Sequence, residues 1–77
     1  FHLLIIPKQH INHIQDMTIE HQLLVGKMVF IAQKIATEQG CEQGLRLVMN
    51  SQKHGGQTVY HLHLHVLGQR MMHWPPG

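Results

Sequence analysis

Between His61 and Val66 every second residue is apolar and every residue between is a histidine: His61, Leu62, His63, Leu64, His65, Val66. That alternation constrains the fold more than anything else in the chain. A strand sends successive side chains to opposite faces. The three imidazoles therefore share one face, with α-carbons about 6.6 Å apart from one histidine to the next, and the apolar residues share the other. One face must pack on an apolar layer. The other carries rings whose nitrogens need partners or water.

The layer is supplied between Thr18 and Gln39. Leu24, Met28, Ile31 and Ile35 recur at helical spacing, flanked by Val25, Val29, Ala32 and Ala36, while Lys27, Gln33, Lys34 and Glu38 fall mostly elsewhere on the wheel. The spacing predicts one long amphipathic helix, with Asp16 or Thr18 at its start and Gly40 placed to take a left-handed conformation at its end. Leu3 to Ile6 is a short apolar run closed by Pro7 and predicts a strand buried on both faces. Lys8 to Asp16 reads as an irregular crossing. Leu45 to Asn50 and Gln57 to Leu67 predict two strands joined by a polar turn over Ser51 to Gly56, forming an antiparallel hairpin. Gly68 and the tail Trp74-Pro75-Pro76-Gly77 end the last strand. The expected class is α+β in the order strand, helix, strand, strand: an antiparallel sheet with one long amphipathic helix, in a single domain over 1–77.

Composition narrows the function classes. Cys41 is the only cysteine, so no intrachain disulfide is possible, and a lone thiol suits a reducing, cytoplasmic setting. A core this small makes a partner subunit a reasonable expectation. The net charge of +2 comes from scattered residues without a Lys/Arg run, which gives no electrostatic reason to expect nucleic acid. No apolar run approaches the roughly 20 residues of a membrane span. The chain opens at Phe1, already inside a strand pattern, and is read as lacking residues upstream.

The chemistry is sought on the histidine row. A nucleophilic imidazole needs one nitrogen with a free lone pair and the other donating to something fixed. The middle ring suits that role: a neighbouring backbone carbonyl can accept its inner N–H while its outer nitrogen faces a substrate. The flanking rings can then donate to an anionic group or a leaving atom. Gly55-Gly56-Gln57-Thr58 adds a turn whose N–H groups and hydroxyl can cradle an anion, and Asn50 offers an amide across the hairpin. A phosphoryl group is the natural occupant. The four carboxylates, Asp16, Glu20, Glu38 and Glu42, lie away from the row, which weakens a Mg²⁺-dependent scheme.

Asn50, the run from Gly55 through Gly68 and the Trp74-Pro75-Pro76-Gly77 ending together resemble the histidine-triad (HIT) signature, in particular its Hint branch of nucleotide-binding proteins. Ile6-Pro7-Lys8-Gln9-His10 resembles the segment after that family's third strand. The resemblance covers essentially the whole chain, except that the family's N-terminal segment, with its purine- and ribose-cradling residues, has no counterpart. It implies an antiparallel sheet paired across a homodimer, no cofactor or metal, and hydrolysis of purine nucleoside phosphoramidates of the AMP-NH2 or AMP-lysine type, with purine nucleotides such as AMP or GMP as ligands. By position, His63 is the implied nucleophile that forms a nucleotidyl-histidine. His65 contacts phosphate and leaving group, and His61 supports the middle ring together with His10. Asn50, Gly56, Gln57 and Thr58 hold the phosphate, and Trp74 reaches toward the partner's site. Two other classes stay open: a purine nucleotide-binding interaction module with little turnover, and a histidine-based metal-binding protein.

Overall fold

The computed structural model describes all residues, Phe1–Gly77. It contains β1 (His2–Ile5), α1 (Gln22–Glu38), β2 (Leu45–Val48) and β3 (Leu64–Gly68), with single 3₁₀ turns at Ile14–Asp16 and Ile19–His21. The sheet is three-stranded and antiparallel in the order β1-β3-β2, so the last strand lies in the middle. The class and element order are those expected from the sequence.

The alternation in β3 decides which face is buried. Leu62, Leu64 and Val66 are 1%, 3% and 0% exposed and pack with Met28, Ala32 and Ala36 of α1. Leu3 and Leu47 stand opposite Val66 from the two sides and complete the apolar layer. Alanine at two of the three buried positions of α1 lets the helix lie close on the sheet. Its start is set before the helix proper: the Thr18 N–H donates to His21 Nδ1 at 3.0 Å, the backward half of a capping box with histidine where Glu or Gln is usual. At its end Gly40 adopts φ +105°, and a side chain there would also meet the Gln69 amide. No helix is long and apolar enough to cross a membrane.

Two local expectations are corrected. β1 is not buried on both faces; its residues alternate between exposed and half-buried, and Leu4 is exposed. As an edge strand it has the helix over one side only. The third strand begins at Leu64 rather than Gln57, leaving His61, at a bend, and His63 ahead of the ladder. Continuing the β1–β3 register from Ile5↔Leu64 would set Pro7 opposite Leu62. Pro7 has no N–H for a ladder, and the Leu62 N–H instead donates to the Ile11 carbonyl at 2.7 Å. The second strand likewise stops at Val48, short of Asn50.

Candidate active site

The uncovered face of the sheet carries the histidines. His65 stands opposite Leu4 of β1 and Val48 of β2, and Leu67 opposite His2 and Arg46. His61, His63 and His65 are all half-buried. The triad thus lies where the chain leaves the hairpin turn and enters the central strand, with its apolar neighbours holding the backbone from behind.

Each ring is tied differently. The Nδ1 of His63 lies 2.7 Å from the His61 carbonyl oxygen. A carbonyl can only accept, so Nδ1 carries the proton and Nε2 of the neutral ring keeps its lone pair. The Nε2–H of His61 donates to the Pro7 carbonyl at 2.9 Å, so His61 holds His63 through its backbone while its own ring is fastened to the β1 exit. His10 meets the His61 ring edge-on, with centroids 5.0 Å apart, and donates Nε2–H to Asn12 Oδ1 at 2.8 Å. His65 lies edge-on to His63 at 5.0 Å, and its Nδ1 is 2.8 Å from Nε2 of His2.

Partial burial, followed by the repulsion that His63 and His2 would exert when protonated, lowers the His65 pKa below its ordinary 6.5. At neutral pH this ring is uncharged and can donate from one nitrogen and accept at the other.

The lead-in residues are placed differently from the expected cradle. The Gly56 N–H donates to Lys53 O at 3.1 Å and the Gln57 N–H to Gln52 O at 3.0 Å, so both are spent inside the turn. Gln57 is buried. Its Oε1 accepts from the Gln52 N–H at 2.8 Å, and its Nε2 donates to the carbonyls of Asn12 at 2.7 Å and Val59 at 3.1 Å. No donor of Gln57 remains for a phosphate; its work here is to tie the Asn12 crossing to the triad's approach. The Asn50 amide donates to Gly55 O at 2.7 Å across the turn. Thr58 is exposed. Trp74 does not lie against the triad; it is exposed, with the Arg46 guanidinium 5.8 Å from its ring centroid, and Arg46 also donates to His73 O at 2.9 Å.

No three of the His, Cys, Asp and Glu side chains converge to hold a metal ion. The residue that no sequence pattern singles out is His2, whose ring meets His65. It sits diagonally across from His65 on the adjacent strand, a distance long side chains bridge. Only the β1–β3 register reveals it.

Comparison with known proteins places these features in context. Residues 1–72 match the HIT domain family. An uncharacterized HIT-like protein of Synechococcus elongatus is 49% identical over 76 residues, covering 99% of this chain and 67% of the relative. The purine nucleoside phosphoramidase of Escherichia coli is 49% identical over 70 residues, covering 90% of this chain and 59% of the relative. The chain thus spans about three fifths to two thirds of these relatives' lengths. Among solved structures, a HIT family hydrolase from Legionella pneumophila superposes with a TM-score of 0.94 at 51% identity, over 99% of this chain and 69% of that one. A histidine triad protein from Clostridium difficile gives 0.89 at 34% identity, over 94% and 64%.

Proposed function

Because the chain belongs to the HIT domain family, we propose that it hydrolyses purine nucleoside phosphoramidates through a nucleotidyl-histidine on His63. The observation that carries this reading is the 2.7 Å bond from His63 Nδ1–H to the His61 carbonyl, which leaves Nε2 as a fixed, unprotonated nucleophile on the open face. The Nε2 lone pair attacks the α-phosphorus, the P–N bond breaks, and the amine leaves with a proton donated by His65, which takes one back from the water of the second step. The His63 imidazolium keeps its Nδ1–H on the carbonyl. Water then attacks the same phosphorus, releasing the nucleoside monophosphate and restoring the ring.

In this reading His65 serves the leaving group and phosphate, and His61, with His10 behind it, sets the angle of the nucleophile. Thr58 and Asn50 offer the polar groups nearest the turn. The name of the Escherichia coli relative supports the phosphoramidate class. A homodimer belongs to the same reading and is supported by the uncovered outer side of α1, where Leu23 and Phe30 are 88% and 61% exposed.

The test is turnover of a fluorogenic adenosine phosphoramidate by the parent and by His63→Ala. Loss of at least about 10²-fold is expected, the low end of what a positioned catalytic group contributes. Undiminished turnover in the variant would refute the nucleophile. Tight AMP binding in calorimetry with no cleavage by the parent would favour the binding-module reading.

A further inference from the structure

We infer that Gln15, in the crossing between β1 and α1, is a positioning residue for the turn from Ser51 to Gly56. Its side-chain oxygen holds Gln52 in a left-handed backbone conformation and thereby fixes Asn50 and Thr58 for a phosphate. The role of those two groups, and so the catalytic meaning of the clamp, rests on the reaction proposed above.

Gln52 has φ +59°, in the region that favours glycine, although a long side chain stands there. Backbone held there persists only where its surroundings over-determine it. Three bonds do so. The Gln52 N–H donates to Gln57 Oε1 at 2.8 Å, and the Gln52 carbonyl accepts the Gln57 N–H at 3.0 Å. The Gln52 side chain supplies the third, donating from Nε2 to Gln15 Oε1 at 2.9 Å. The Ser51 hydroxyl donates to the same oxygen at 2.7 Å. An amide oxygen has two lone pairs, so two consecutive residues of the turn saturate one acceptor. Sharing it fixes the direction of both side chains and of the peptide between them. Gln15 is itself held in the 3₁₀ turn Ile14–Asp16, which the Asp16 N–H closes on the His13 carbonyl at 3.0 Å.

The two limbs of the turn touch. A β-carbon on Gly55 would run into the Ser51 carbonyl oxygen and nitrogen, so only glycine lets the limbs lie this close. A shift of Ser51 and Gln52 therefore displaces Gly55 and Gly56, the approach to Thr58. Asn50 moves with them, because its amide donates to the Gly55 carbonyl at 2.7 Å. The second amide hydrogen of Asn50 and the Thr58 hydroxyl are donors that the proposed reaction assigns to the phosphate. The nucleophile is held elsewhere, His63 by the His61 carbonyl and the His61 ring by the Pro7 carbonyl. Loosening the clamp weakens the hold on substrate and leaves the attacking nitrogen in place, so KM rises while kcat stays.

The experiment compares the parent, Gln15→Ala, Gln52→Gly and the double variant. It reads KM and kcat for the fluorogenic adenosine phosphoramidate, AMP affinity by calorimetry, and amide hydrogen exchange at residues 52 and 57. Both substituted side chains are exposed, so the core is retained. Gln15→Ala should raise KM and the AMP Kd about three- to tenfold, the weight of one net hydrogen bond, with kcat within about twofold of the parent. Exchange at both amides should quicken. Glycine takes the left-handed conformation without a clamp, so adding Gln15→Ala to Gln52→Gly should change KM little further. A residue that only stabilised the fold would leave KM unmoved in the folded chain. Unchanged KM and exchange in Gln15→Ala, a fall in kcat at constant KM, or an equal loss on the Gln52→Gly background overturns the clamp. A parent that leaves the phosphoramidate intact, or a His63→Ala variant that cleaves it, overturns the proposed reaction instead, and the exchange rates then decide the clamp on their own.

Discussion

Replacing Gln57 by leucine removes one buried amide that three backbone groups use. Its loss leaves the Gln52 N–H and the Asn12 and Val59 carbonyls without their partners. A buried group left unsatisfied costs about 1–3 kcal/mol, while a part-buried carbonyl that water can still reach costs less. Counting the N–H as one full loss and the two carbonyls as partial ones gives about 2–4 kcal/mol. A domain of this size holds roughly 4–12 kcal/mol in all, so the change removes a large share of it. Urea unfolding followed by far-ultraviolet circular dichroism is the assay. The midpoint should fall with the slope unchanged, and Tm should drop by roughly 8–32 °C at about 4–8 °C per kcal/mol. Gln57→Glu should be worse, because a carboxylate keeps the bond to Gln52 but sets negative charge against two carbonyl oxygens. Should Gln57→Leu lie within about 0.5 kcal/mol of the parent, the range of a bland surface change, this reasoning is wrong.

Two further outcomes are expected. Gly68→Ala would place a methyl 2.6 Å from Cys41 Sγ in the packed core and should cost about 1–3 kcal/mol; in a double-mutant cycle Cys41→Ala should recover part of that, and strictly additive losses would show the contact to be irrelevant. Because the His65 pKa is lowered in the native state, the unfolded chain binds a proton that the native chain refuses as pH falls below 6.5. The stability that neutral His65 contributes is present above pH 6.5 and lost as pH drops toward the native pKa; His65→Gln should flatten that part of the stability–pH curve, and an unchanged curve would exclude His65 as its source.

The period-2 run and the period-3.6 run, each reinforced by breakers at Pro7, Gly40 and Gly68, determined the class, the element order, the helix and the buried face of β3. Such patterns are local: side chains two apart on a strand, or three and four apart on a helix, share a face whatever the rest of the chain does. The middle ring's bond to a neighbouring carbonyl belongs with them, since it spans only two residues. Tertiary structure decided the rest. That β3 is central, that its ladder starts at Leu64 because Pro7 cannot donate, and that His2 reaches His65 all depend on pairing residues some sixty positions apart, whose register no local pattern encodes. Gln57 shows the same limit from the other side. A glutamine in a polar turn reads as a ligand-facing amide, and only the folded chain reveals which carbonyls were left for it to satisfy.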